Sequence, residues 1–440
     1  MTRSAPAERR VLVVSQDRLD GQVAGTSIRA LELARVLSKV APVTVAAVGE
    51  PPSEVSGMPC VGYHPQDPRA LREALDGVGA VVTLPQWPPI MRALRQSRAT
   101  LIFDLYVPQP LETIGGFPGA RRALRSTMTE FAIDRFVEAL RLGDRFICAS
   151  EKQRDLWLGV MLAERLIGLD RYDDDPSLRA IIDVVPFGLP AEPAEPTGGG
   201  GPRAAFGAIG PDDEVILWNG GLWPWFDAGT AIRAVGQVAE RRPGVRLVFM
   251  GAASQVPAQR ATEAARALAG RLGLLDRVVF FNDAWVPYEQ RADWLLEADC
   301  ALSMHHDHLE TRFAFRTRLL DCFWARLPVV CTAGDELADV IESDDAGVIV
   351  APGDTEGAAA ALTRVLDRGR DAYRPALERI AARYRWDVVA APLATYVQEE
   401  APRGRPPYRA RRPGHLLRGG AYGLGRMALN RVGLRDWPRL

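Results

Sequence analysis

The sequence predicts an α/β protein built from two Rossmann-like halves, and three observations predict it. Short apolar runs alternate with longer stretches of helical period, the order from which parallel sheets with right-handed crossovers are made. The alternation stops at a segment rich in proline, glycine and acid, PAEPAEPTGGGGPRAAFGAIGP at 190–211, and then restarts. At 440 residues the chain suits two or three domains, each large enough to bury its own core.

Val11-Leu12-Val13-Val14-Ser15 reads as a short buried strand. A loop with Gly21 and Gly25 follows, then a helix from about Ser27 whose Ile28, Leu31, Leu33, Ala34 and Leu37 form an apolar stripe, then a strand at 43–48. The glycine loop is not G-x-G-x-x-G, so a dinucleotide site is not indicated. Strands at 81–84 and 101–104 end in polar or aromatic loops. Ligands of doubly wound sheets collect at such ends, which makes Gln86, Asp104 and Tyr106 candidates for acceptor-side contacts. A helix at 121–142, a strand at 145–149 and a helix at 151–167 lead to Val184-Val185-Pro186-Phe187-Gly188. The composition of 190–211 is that of a mobile linker or hinge. Beyond it, strands at 215–219, 246–251 and 277–282 alternate with helices at 227–240, 257–272 and 289–298. The domains read as 1–189 and 212–384, with a closing helix at 385–400 and a tail at 401–440.

Hydrophobic residues at 47% and charged residues at 25% are ordinary for a soluble protein, and a net charge of −1 gives no argument for nucleic acid. Lys39 and Lys152 are the only lysines, so the positive charge is arginine throughout. Five cysteines with no C-x-x-C pair read as reduced core residues of a cytoplasmic protein. No run approaches the roughly 20 apolar residues of a spanning helix. In the tail, arginines recur from Arg403 to Arg439 against Asp436 alone. Its functional reading is an electrostatic hold on anionic lipid at the inner face of the membrane.

The most informative stretch is HHDHLETRFAFRTRLLDCFWARLPVVCT, 305–332. A strand at 300–304 ends in a polar loop at 305–316, a helix follows at 317–327, and a β-rich run closes it at 328–332. Leu320, Phe323, Trp324 and Leu327 form one stripe, while Arg318, Asp321, Cys322 and Ala325 form a small, polar face. Arginines around a helix start suit phosphate and a carboxylate one turn in suits a diol; an ordinary ion pair on a solvated face is the bland alternative. His305, His306, Asp307 and His308 are adjacent rather than spaced as metal ligands are, so no metal is expected.

E-T-R-F-A-F-R-T-R-L-L-D-x-x-W-A-x-L-P-V-V, with Gly334-Asp335 and Gly347-Val348-Ile349-Val350 after it, resembles the donor-site signature of retaining GT-B glycosyltransferases of family 4. G-T-S-I-R-A-L-E-L-A from Gly25 resembles the first loop and helix of their N-terminal domains. The resemblance implies a GT-B fold, two Rossmann-like domains facing across a cleft. It implies transfer of a sugar, with retention, from a nucleotide-sugar donor to a carbohydrate, lipid-linked or small-molecule acceptor.

On the same resemblance Asp321 holds the donor ribose, and Glu310 replaces the first acid of the signature, whose place is taken by Phe313. Gly25 admits donor phosphate, Trp285 and Val286 receive the base, and His308 touches the sugar. The family's G-R-x4-K pair is missing: Gly221 and Phe226 stand at its positions. Gly220 and Gly221 still offer backbone N–H groups to phosphate, and Arg316 and Arg318 are expected to take over the pair's charge. Trp223, Trp225 and Phe226 are candidates for a platform over the ligand, with core packing as the alternative. The expected catalytic set is Glu310, Arg316, Arg318 and Asp104, with no cofactor. Alternatives on the same fold are a nucleotide-sugar epimerase and a catalytically silent nucleotide-sugar-binding subunit.

Overall fold

The computed structural model describes residues 10–19, 25–116, 121–251 and 256–399. Gly21 and the basic tail lie outside the described residues. One compact unit holds both sheets.

The first sheet contains β1 (Val11–Val14), β2 (Val43–Val48), β3 (Glu54–Val55), β4 (Met58–Tyr63), β5 (Ala80–Thr83), β6 (Thr100–Asp104), β7 (Arg145–Cys148) and β8 (Ile182–Val184). Their order is β3-β4-β2-β1-β5-β6-β7-β8, parallel except for the β3–β4 hairpin. Alternate residues of β1 enter different cores, Val11 and Val13 on one face and Leu12 and Val14 on the other. Both faces of the sheet are therefore covered, as a parallel sheet requires, and this is why its strands read as continuous apolar runs.

The second sheet contains β9 (Glu214–Trp218), β10 (Val245–Phe249), β11 (Val279–Phe281), β12 (Cys300–Ser303), β13 (Val329–Thr332) and β14 (Gly347–Val350), all parallel, in the order β11-β10-β9-β12-β13-β14. The order reverses between β9 and β12, and the carboxyl ends flanking that switch are where a ligand crevice opens. Two of the helices that follow its strands begin on aspartate side-chain caps. Asp227 accepts from Thr230 N–H, and Asp335 accepts from Leu337 and Ala338 N–H.

One departure from the sequence reading, at the linker, and one contact between the halves matter for the site. The 190–211 segment is pinned to helix Arg291–Glu297: Thr197 donates its N–H and hydroxyl to Asp293, and Arg203 donates to the Glu297 carbonyl. Arg385 pairs with Leu189, and Trp386 packs its ring 4.9 Å from Phe187, so 386–399 lies beside helix Gly25–Leu37 of the first half. The five cysteines are free and buried, and no described helix is long and apolar enough to cross a membrane.

Gly347, part of the quoted signature, has a structural reason. A Cβ there would sit 2.0 Å from the Val329 carbonyl oxygen. Gly347→Ala is expected to destabilise the fold by about 1–3 kcal/mol or more through overpacking between β13 and β14. Thermal unfolding checks it, and an unchanged Tm would rule the contact out.

Candidate active site

The loop between β12 and helix Thr317–Trp324 is partly helical, Leu309–Phe313, and it carries the central ion pair. His308 caps that turn by accepting from Glu310 N–H, which turns the Glu310 side chain inward. Glu310 is 1% exposed and Arg316 is 7% exposed. Arg316 reaches both carboxylate oxygens, Nη1 to Oε1 at 3.1 Å and Nη2 to Oε2 at 2.7 Å, and also Thr311 Oγ1 at 3.3 Å. The pair lines a cavity of about 470 Å³ between the two halves. Gly25, Thr26, Tyr106, Gln109 and Glu112 line it from the first half, with Trp223, Trp225 and Thr317 from the second. The two indoles stack 5.2 Å apart and only 2° from parallel. Phe226, grouped with them in the sequence, is buried against Trp218 instead.

Arg318 does not pair with Asp321. Its Nη2 donates to the Gly221 carbonyl at 2.8 Å, its guanidinium lies 4.0 Å over the Phe226 ring, and Asn219 Nδ2 donates to the Arg318 carbonyl. Gly220 is in the left-handed region at φ 107°, and a Cβ there would come within 3.3 Å of Arg318 Nη2. The Arg318 Nη1 is sealed from solvent and has no partner. Burial, then the neighbouring Arg316 charge, lowers the Arg318 pKa to about 9. Arg318, Gly220 and Gly221 do not line the cavity, but an arginine with no carboxylate hydrogen-bonded to it, next to the Gly220–Gly221 backbone, suits an anion by its electrostatics.

Asp321 is half-buried and paired with Arg291, whose Nε is 2.9 Å from Oδ1. Arg291 is held in turn between Tyr288 and Trp324, 3.5 and 4.3 Å over their rings. Neither Asp321 nor Arg291 lines the cavity, and neither do Trp285, which is 44% exposed, or Val286. The His308 ring lies against Gly115 of the opposite half, where an added Cβ would meet it at 2.5 Å. Gln153 bridges the halves as well, donating to the Tyr106 and Phe313 carbonyls.

Asp104 is placed differently from the expectation of a reacting group. Both its oxygens accept from Arg29, at 2.5 and 3.0 Å, and the same guanidinium donates to the Pro186 and Val185 carbonyls. The pair is buried and anchors helix Gly25–Leu37 to β6 and to the exit of the first half. Asp104 lies outside the cavity lining because it is under the helix rather than in the cleft. Gln86 is likewise buried, donating to Thr83. Tyr106 does reach the cavity.

Glu112 escaped the sequence reading. It sits on helix Gln109–Gly116, and burial, then the Glu310 charge, raises its pKa to about 7 against the opposing pull of Arg316. Its context, PQPLETIGG, carries Pro110, Gly115 and Gly116 and shows no helical period, so nothing there marked a carboxylate aimed at the cleft. Among the described residues no group of three or more His, Cys, Asp or Glu side chains gathers as a metal-ligand set.

Residues 213–368 match the family model described as Glycosyl transferases group 1. No curated protein matches the chain by sequence. Similar solved structures include sucrose-phosphate synthase from Thermosynechococcus elongatus, 16% identical with a TM-score of 0.61, covering 89% of this chain and 98% of that one. Anabaena HepE in complex with UDP and glucose is 14% identical with a TM-score of 0.63, covering 88% and 99%. A glycosyltransferase from Rickettsia africae is 13% identical with a TM-score of 0.60, covering 89% and 99%. At such identities these likenesses bear on the fold. The chain has the GT-B fold, two Rossmann-like domains facing across a cleft, and a glycosyl transferase group 1 match lies on the second of them.

Proposed function

We propose that the protein is a glycosyltransferase that moves a sugar from a nucleoside-diphosphate sugar to an acceptor hydroxyl, with retention at the anomeric carbon. The observation that carries this is Arg318, a sealed guanidinium nitrogen without a partner beside the Gly220–Gly221 backbone. A diphosphate supplies the missing charge, and the same cation then stabilises the leaving nucleotide. Arg316, held by Glu310 at the wall of the cleft, is the second cation within reach of that charge. Asp321 is the group for the ribose, a role that requires Arg291 to share it. The stacked Trp223 and Trp225 suit the apolar face of a sugar ring. Retention rests on the likeness of 310–335 to the family 4 signature.

HepE was solved with UDP and glucose, so UDP-glucose is the first donor to try in a panel of UDP, GDP, TDP and ADP sugars. The expected result is transfer to a carbohydrate or lipid-linked acceptor, retained configuration by NMR of the product, and an unchanged rate under exhaustive chelation. Loss of the G-R-x4-K pair favours one rival, the silent binding subunit. Donor binding without turnover selects that rival, and an inverted product removes retention. Metal-restored activity after chelation would require the histidine loop to be reread.

A further inference from the structure

We propose that Glu112 is the acid–base residue that takes the proton from the acceptor hydroxyl, an inference that rests on the transferase reading. Helix Gln109–Gly116 brings it to the cleft wall from the first half, across from Glu310 and Arg316 of the second, in the cavity that Trp223 and Trp225 also line. A hydroxyl attacking an anomeric carbon must lose its proton, and a base for it needs an uncommitted lone pair. Of the carboxylates in the lining, Glu310 has both oxygens engaged by Arg316. Glu112 has no side-chain partner among the described residues and faces the cavity. Gln109 is engaged by Arg135, and burial raises the Tyr106 hydroxyl far above the range of a base at neutral pH.

The charges around Glu112 come from several elements. Glu310 and Arg316 face it from the second half, and the His308 ring packs on the same helix at Gly115. Arg125 and Arg135 reach that helix from helix Arg122–Leu142, at the Ile114 carbonyl and at Gln109, and Tyr106 lies on its inner side. Burial raises the Glu112 pKa to about 7, with the Glu310 charge adding to the rise and Arg316 opposing it, and there a carboxyl both accepts and returns a proton readily. In the step, the acceptor oxygen forms its bond to the anomeric carbon on the same face that the diphosphate leaves, so that configuration is retained. The bond from that carbon to the diphosphate oxygen breaks with its electron pair leaving on the nucleotide. The acceptor proton passes to the Glu112 carboxylate and then to solvent.

The test is Glu112→Gln in the full chain, with the donor and acceptor identified for the wild type. The expected loss in kcat is about 10²- to 10⁴-fold. UDP affinity and the thermal shift produced by UDP should be unchanged, which shows that the variant folds. The wild-type rate should rise with pH to a plateau through about 7, because the ionised form accepts the proton, and this limb should vanish in the variant. Glu112→Asp should recover part of the rate and keep a limb. A Gln variant with near-normal kcat, or with the limb intact, overturns the assignment while leaving the transferase standing. A wild type that binds UDP and transfers nothing overturns both.

Discussion

Arg318→Ala is expected to lower kcat/KM by about 10²-fold or more, the usual consequence of removing a group that stabilises developing oxyanion charge. UDP affinity should fall at least about tenfold, as for a lost charge-assisted hydrogen bond. Arg318→Lys should recover only part, since an ammonium cannot donate to Gly221 and to a phosphate in the fixed fork of a guanidinium. Stability gives the sharper contrast. Without a ligand, the Arg318 guanidinium has a carbonyl and an aromatic face for company, and burial, then the nearby Arg316 charge, lowers its pKa to about 9. An apolar replacement of similar length removes that burden. Arg318→Met should therefore unfold at or above the wild-type temperature while losing the thermal shift that UDP confers. If it keeps both UDP affinity and rate, the phosphates are held elsewhere, most directly by Gly220 and Gly221.

The alternation of runs made the fold legible because parallel strands covered on both faces have no polar side to confuse the reading. The strand that escaped, Met58–Tyr63, has Pro59 and Gly62 in it, residues that argue against a strand. Both are accommodated by neighbours the sequence does not show. Pro59 lies against the two-residue hairpin strand, and Gly62 packs so close to Gly49 that a Cβ would sit 2.2 Å from its carbonyl oxygen.

Residues close together in one segment could be related from the sequence. Glu310 and Arg316 are six residues apart, and they meet at the cavity wall as an ion pair, the bland alternative to their sugar and phosphate roles. What depended on distant partners was hidden. Asp104 looked like a strand-end carboxylate open to ligand, but its Arg29 partner comes from a helix 75 residues away. Asp321 looked free on a small polar face, but Arg291 closes on it from 30 residues away. Glu112 acquires its character only from burial and from Glu310 in the other domain.

Breaking the Glu310–Arg316 pair is expected to have the largest effect on stability. Arg316→Ala leaves a carboxylate that is 1% exposed without its bidentate partner, a change that costs about 3–5 kcal/mol when a buried pair loses one member. The loss should also depend on pH. Arg316 lowers the pKa of Glu112, so removing the arginine leaves the Glu112 carboxyl still further above the ordinary value of 4.5 in the folded state. A folded state that holds more protons than the unfolded one loses stability as pH rises. Urea midpoints for Arg316→Ala should therefore fall further below wild type at pH 8 than at pH 5. Glu310→Gln keeps the shape and removes the like charge that faces Glu112, so the Glu112 pKa falls and the acid limb of the rate profile moves to lower pH. The double replacement Glu310→Gln with Arg316→Gln should recover part of the stability lost by Arg316→Ala, since neither side then leaves an unpaired charge. An Arg316→Ala variant with a wild-type midpoint at both pH values would show that the pair does not hold the loop and that Arg316 does not hold the Glu112 pKa down.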